Sequence, residues 1–511
     1  MRFQRSFYSL FSRTAQTMLA LAVGFLITPF VFRFLGQERF GAYKALTTYL
    51  DYFYLLEFGA YGSLLALFSK SIATRNRENQ RRELILGLRW YTRIAAICIL
   101  AGLGFSFFSH YFIPVSLELR QDLRATCIIS LIGFIFITAQ PFRAFLEAEQ
   151  KSYHIHLYLA AQAILVSLSS YLFSKNGWGI RGQAVAMVFG GTLFYLAICA
   201  ILLPQFPGLI RSTIFERIPR SFHIKLWNLQ WPTFLNDLSG RICLLTDNIV
   251  VSILLGPKWI APFFLTQPLM SVAESQLQGV GASTWAALGE LYATDQHETF
   301  RSRLVEVTRM TLLFSISVII PICTFNSSFI RLWVGADQYL GDFFTLIVGF
   351  NALLLPILSI WGWAFVAAGK SAILVPVFLS QAVMNLTLSI YFTTRIGISG
   401  PVLGTLLTYI AIPLFAIPYL MKKHFKVSPV SILRPLAETL NAGACVSAVL
   451  YESDFNRIAS HWMELLLKMG LLGGIIFILG FFTLIRTHER SLLAERFKSL
   501  AKKGGEYLGK K

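Results

Sequence analysis

One apolar stretch, WPTFLNDLSGRICLLTDNIV, carries Asp237, Arg241, Asp247 and Asn248. On a helix, Asp237, Arg241 and Asn248 fall at i, i+4 and i+11, within about 40° of one face, and Asp247 points about 80° away. A charge held in mid-bilayer costs about 2.5–3.5 kcal/mol on insertion scales, so such residues line a cavity or neutralise one another. Two readings stand side by side. In one, the Arg241 guanidinium binds phosphate oxygens in pairs, while Asp237 or Asp247 holds a competing proton or cation. In the other, Asp237 and Arg241 neutralise each other and lock the helix.

The same choice recurs elsewhere. Lys44 and Asp51 lie seven residues apart and share a helix face, with Glu57 one turn beyond on another. They form either inter-helix hydrogen bonds or a polar cavity wall. Arg143 follows Pro141, which bends a helix by freeing a carbonyl, and precedes Glu147. It either meets an anionic substrate at an inner mouth or snorkels to lipid headgroups. Arg13 poses the same alternative. His154 and His156 lack a third ligand at suitable spacing and read as interfacial, not metal-binding. The GxxxxGK[ST] pattern is absent, which argues against ATP-driven pumping, and no nucleophile or acid/base constellation suggests an enzyme. No metal and no cofactor is expected.

These residues sit in a chain of 511 residues that is 55% hydrophobic and only 14% charged, with a mean hydropathy of +0.61. That composition predicts an all-α polytopic membrane protein. Fourteen spans are expected, near 13–35, 44–69, 86–109, 122–146, 152–174, 180–203, 226–255, 259–290, 303–325, 342–367, 371–394, 399–420, 432–451 and 462–485. With both termini cytoplasmic, about 32 of the 45 Lys and Arg fall on the inner side and about 12 on the outer side. The net charge of +19 therefore sets orientation and does not indicate nucleic-acid binding. Seven prolines, Pro29, Pro262, Pro268, Pro356, Pro376, Pro413 and Pro418, read as helix bends.

The chain also echoes itself. RFLGQERFGAY, from residue 33, recurs about 220 residues later as SILLGPKWIAPF, and Leu35-Gly36 falls on Leu255-Gly256. Gly59 falls on Gly279, Ala144, Phe145 and Ala148 on Ala364, Phe365 and Ala368, and GIRGQ on GISGP. The order predicts two six-helix lobes in parallel repeat, 1–205 and 226–421, joined by a basic cytoplasmic linker at 206–225. Residues 422–511 would add two helices and a basic tail. Two such lobes facing a central cavity suit alternating access.

FLGQERFGAYKALTTYLDYFYLLEFG resembles the first hairpin of polysaccharide flippases. The matching elements are Leu35-Gly36, Phe40-Gly41-Ala42-Tyr43, and Glu57 before Gly59. LTDNIVVSILLG is similar to a later helix of the same family, with Asp247 and Leu255-Gly256 in place. The family is the Wzx-type O-antigen flippases of the multidrug/oligosaccharidyl-lipid/polysaccharide (MOP) superfamily. The resemblance spans roughly residues 10–420. One departure is Ala261-Pro262-Phe263, where the family more often has a Gly-x-Tyr-like element.

The resemblance implies a multi-pass protein of the bacterial inner membrane. Its substrate would be an undecaprenyl-diphosphate-linked oligosaccharide, moved from the cytoplasmic to the outer leaflet. Arg241, Arg143, Arg13 and Lys44 would contact substrate. Asp237, Asp247, Asn248, Asp51 and Glu57 would hold a coupling ion or line the cavity. Partners would include membrane lipids, a proton or sodium ion, a polysaccharide polymerase and other glycan-assembly proteins. A small-molecule exporter of the same superfamily and a cell-wall precursor flippase are the alternatives.

Overall fold

The computed structural model describes residues 2–452 and 458–484. Every regular element among them is helical: α1 (Arg2–Tyr52), α2 (Ala60–Ala73), α3 (Arg77–Phe112), α4 (Leu117–Leu131), α5 (Gln140–Ala148), α6 (Ser152–Lys175), α7 (Gly179–Leu202), α8 (Leu209–Phe215), α9 (Arg220–Leu254), α10 (Ile260–Thr266), α11 (Pro268–Ala293), α12 (His297–Trp333), α13 (Asp342–Ala367), α14 (Val375–Ile396), α15 (Gly400–Ala411), α16 (Pro413–Phe425), α17 (Pro429–Glu452) and α18 (Trp462–Leu484). Short 3-10 turns join several of them.

Polarity is turned outside in. Leu100, Phe108, Leu172, Leu196 and Phe482 are exposed, whereas Gln183, Asn326, Asn385 and Thr408 are buried. A surface of that kind suits hydrocarbon as solvent. The buried polar groups tie helices together. Gln183 Nε2 of α7 donates to Ser174 Oγ of α6 at 2.7 Å. Asn385 Nδ2 of α14 donates to Thr405 Oγ1 of α15 at 2.7 Å, and Asn351 Nδ2 of α13 donates to the Val402 carbonyl at 2.9 Å. In an apolar medium such bonds fix which helices pair.

Nine described segments are long and apolar enough to cross a bilayer, against the fourteen spans expected. The segment Ser12–Glu57 runs through a break at Gly36, and Ser371–Phe425 contains α14, α15 and α16. Two expected bends, at Pro268 and Pro413, are breaks between successive helices, α10 to α11 and α15 to α16. Pro268, Pro376 and Pro413 stand in the first turns of α11, α14 and α16, where the missing N–H has no helical partner to lose. Pro141 likewise opens α5, after a 3-10 stretch at Ile132–Ala139.

By its contacts the chain divides into two compact units, Met1–Pro262 and Phe263–Lys511. The first includes α9, which packs on α1, α2 and α3. In the second, α11, α12 and α13 enclose Trp361, Phe325, Phe344 and Phe365, and α17 and α18 lie against α12. A cavity of about 750 Å³ opens between α12, α13 and α17, walled by Ile316, Ile320, Leu346, Phe350 and Leu440, with Asp342 at its edge.

The sequence echo is also a backbone echo. Gly36 has φ 75 and ψ 173, and Gly256 has φ 91 and ψ 161. The departure at Ala261-Pro262-Phe263 therefore leaves the second turn in the geometry of the first. Left-handed residues recur in order: Arg75 and Asp295, Gln150 and Gly369, Gly179 and Gly397, Gly208 and Lys426. Side chains repeat too. Phe145 meets Phe206 edge-on at 5.4 Å, and Phe365 meets Phe425 at 4.7 Å.

The two echoing turns touch. Gln37 Nε2 donates to the Lys258 carbonyl at 3.0 Å. A Cβ on Gly41 would stand 1.9 Å from the Pro257 carbonyl oxygen, so only glycine admits that backbone. Glu38 accepts from Ser116 N at 2.8 Å, at the start of α4, so it is tied to a neighbouring helix instead of facing only water. The Gly41→Ala variant should displace the second turn at a cost of about 1–3 kcal/mol. Thermal unfolding of the purified protein should show a lower midpoint. The Gly24→Ala variant, whose added Cβ meets nothing within 4 Å, should unfold like the parent.

Candidate functional site

Within the first unit, charged residues gather where α2 begins and where α5 gives way to α6. The chain leaves α1 through a 3-10 turn, Phe53–Glu57, and breaks its helix at Phe58 and Gly59, both left-handed. This puts the Glu57 carboxylate over the N-terminus of α2, where Oε1 accepts from Tyr61 N at 3.0 Å. The Tyr91 hydroxyl of α3 donates to the same oxygen, and Trp90 Nε1 donates to the Glu57 carbonyl at 3.4 Å. Glu57 thus ties three segments together, which gives the acidic residue before Gly59 a structural reason to be there.

Arg143 lies one turn into α5. Its Nε reaches Glu147 Oε1 at 3.3 Å, and its guanidinium stands 5.4 Å from the Tyr61 ring centroid. Both partners of the ion pair are partly shielded. Arg143 is therefore held by a carboxylate and an aromatic face, not extended towards headgroups. Across from it, at the start of α6, His156 feels the charges of Glu147, Arg13 and Arg143. Arg13 of α1, Arg143 and Glu147 of α5 and His156 of α6 thus lie within electrostatic reach of one another, and only Arg143 and Glu147 are in contact. Sequence reasoning treated Arg13 and Arg143 as separate surface choices and read His156 as interfacial. No spacing rule could join them, because the three lie on different helices.

A second polar group lies between α1 and α9. Asn248 Nδ2 donates to Thr48 Oγ1 at 3.4 Å, and the hydroxyls of Tyr52 and Thr246 are 2.9 Å apart. Lys44 lies 5.6 Å from the Phe40 ring centroid and interacts electrostatically with Asp51. Asp51 also edges a cavity of about 30 Å³ with Thr47, Tyr54, Ser130 and Met187, about the room one water needs. Asn248 thus sits in the seam between α1 and α9, whereas Asp51 lies on the side of α1 that meets α4 and α7. Asp247, next to Asn248, is half-buried. The side chains of Asp237 and Arg241 lie outside the described residues.

The second unit carries no counterpart of the Arg143 group. At the repeat positions of Glu57, Tyr61, Arg143 and Glu147 stand Leu277, Gly281, Trp363 and Ala367. A Cβ on Gly281 would meet the Trp363 ring at 2.8 Å, so Trp363 covers Gly281 much as Arg143 covers Tyr61. The same architecture closes this position with apolar residues alone. Charge there is thus not a requirement of the fold.

No family model and no curated protein matches the chain. Solved structures do. The lipid II flippase MurJ in an inward closed conformation superposes with a TM-score of 0.70 at 17% identity, over 94% of this chain and 98% of that one. An inward-facing multidrug resistance transporter of the MATE family gives 0.68 at 15% identity, over 82% and 99%. Its outward-facing form gives 0.61 at 14% identity, over 82% and 96%. The fold is that of the MOP-superfamily transporters.

Within this MOP fold, the Glu57 knot makes a direct test of packing. The Glu57→Ala variant leaves the buried Tyr91 hydroxyl and the Tyr61 N–H without their acceptor. The expected loss is on the order of 1–3 kcal/mol. Tyr91→Phe should cost less, and the double variant less than the sum of both, because the two residues share one bond. Thermal unfolding of the purified proteins checks all three values.

Proposed function

We propose that the chain is a flippase for a lipid-linked oligosaccharide. Its substrate is an undecaprenyl-diphosphate-linked glycan, carried from the cytoplasmic to the outer leaflet of a bacterial inner membrane by alternating access. The chain crosses the membrane fourteen times, in two six-helix lobes of a parallel repeat plus two further helices, and performs no covalent chemistry. The observation that carries this reading is the one-sided cationic group. Arg143 pairs with Glu147 and faces the Tyr61 ring in the first half, where the second half uses Trp363 and Gly281.

A diphosphate diester carries two negative charges, and taking them through hydrocarbon unaided is prohibitive. Guanidiniums meet phosphate oxygens in pairs and keep their charge at any physiological pH. Arg143 is held by Glu147, so an incoming diphosphate exchanges one anion for another and never exposes a bare cation. Lys44 adds a further cation, with Asp51 as its acidic neighbour, and Asn248 adds a neutral donor. The match to the lipid II flippase, wider than the match to the multidrug transporter, adds support, since the difference is of the size of α17 and α18 together.

A second reading is export of small molecules, since multidrug resistance transporters share the fold. Asp51 beside its small cavity is the feature that favours it. Cells lacking the gene separate the two. The flippase predicts that a complete diphosphate-linked glycan accumulates on the cytoplasmic face while surface polymer is lost. Unchanged lipid-linked pools with new sensitivity to cationic drugs would favour the exporter. In complemented cells, Arg143→Ala at normal protein level should lower flipping about tenfold or more, as expected for losing a charged contact to phosphate. Arg143→Lys should recover only part, since ammonium cannot pair bidentately.

A further inference from the structure

We infer that α8, in the connector at 206–225, is a docking surface for the headgroup layer of an anionic membrane leaflet. The inference stands apart from the flippase reading, because it concerns where the connector lies and not what is carried.

α8 is fastened to α3 along one side. Leu209 is buried. Arg89 Nε donates to the Thr213 carbonyl at 2.6 Å, and its Nη2 donates to the Ser212 carbonyl at 3.3 Å. The same Nη2 donates to the Glu216 carbonyl. Arg81 Nη2 donates to Ser212 Oγ at 2.6 Å and pairs with the Glu216 carboxylate at 3.1 Å. Arg89 thus satisfies carbonyls that the end of a helix leaves open. Arg81 neutralises Glu216, the one carboxylate that the sequence places in 206–225.

The opposite side is exposed. Ile210, Ile214 and Phe215 are 63%, 69% and 76% exposed, and Arg211 is exposed among them. By helical spacing these four span an arc of about 140°, away from Leu209, Ser212 and Thr213. Arg217 and Arg220 follow, also exposed. Large apolar side chains grouped on a surface ask for a partner. With arginines between and after them, the pattern is that of an interfacial amphipathic helix. Its apolar groups enter the acyl boundary, and its guanidiniums meet the negative charge of the leaflet.

The depth agrees. On α3 the large exposed apolar residues begin with Ile97 and Leu100, and Ile97 lies about two helical turns beyond Arg89. α9 follows the connector with Trp227 and Trp231 half-exposed and stacked at 6.5 Å, the residue type favoured at the membrane–water boundary. Three side chains also fall short of the roughly 800 Å² per partner that a stable protein interface buries. A leaflet therefore suits this face better than a second copy or a soluble protein.

The test is amide hydrogen exchange of the full-length protein in nanodiscs, read over residues 209–217. One disc holds phosphatidylcholine, the other phosphatidylcholine with phosphatidylglycerol. Exchange in this segment should be about tenfold slower in the anionic disc, since each arginine near such a surface adds to binding. Salt at molar strength should remove most of that difference. Arg211→Gln, Arg217→Gln and Arg220→Gln together should abolish the difference between discs. Ile210→Ser, Ile214→Ser and Phe215→Ser together should speed exchange of the segment in both discs. Because these side chains face away from α3, the rest of the chain should exchange as in the parent. Equal exchange of the parent in both discs, or an unchanged lipid dependence in the arginine variant, overturns the inference. Protection that rises with protein concentration, and not with phosphatidylglycerol, overturns it in favour of a second copy. None of these outcomes touches the flippase reading, which the assays in cells decide.

Discussion

Each charge that this chain carries among apolar helices has to be met by another group of the same chain. Water is not there to do it, and an unmet charge costs several kcal/mol. That constraint explains why α1, α2, α3, α5 and α6 converge as they do. Arg143 lies between Glu147 and the Tyr61 ring, and Glu57 accepts from α2 and α3 together. The same rule, applied to neutral groups, pairs Gln183 with Ser174 and Asn385 with Thr405. Helix packing and site geometry thus have one origin.

Much of the frame was legible in the sequence. The Leu-Gly echo located two turns whose glycines adopt nearly the same backbone. The apolar runs located most of the helices, although α3 and α12 extend eight or nine residues beyond the expected ends. What could not be read was anything set by contacts between distant helices. For Glu57 the sequence left inter-helix hydrogen bonds and a cavity wall both open, because its partners, Tyr91 and Trp90, lie more than thirty residues away. Arg13 and Arg143 read as candidates for one role, but their link to His156 was hidden because the three lie on different helices. Pro268, Pro376 and Pro413 carried the composition of bends, yet local hydrogen bonding places them at helix starts.

The comparison between halves separates what the fold needs from what the site needs. Turns, left-handed stops and the Phe145–Phe206 and Phe365–Phe425 contacts recur, so they belong to the architecture. Arg143, Glu147 and Tyr61 do not recur, so the architecture does not require them. One half has kept a plain apolar closure with Trp363 over Gly281, while the other has spent the same position on charge.

The contact between the two turns gives the chain a direction. Gly41 lacks the Cβ that its repeat partner Ala261 carries, and the Pro257 carbonyl enters the gap. A hypothetical chain made of two second halves would set Ala261 where Gly41 stands and could not close this contact. A chain made of two first halves would meet no such obstacle at that position. A single methyl group has therefore made the halves non-exchangeable, and an ancestor assembled from identical copies would have needed glycine at this turn.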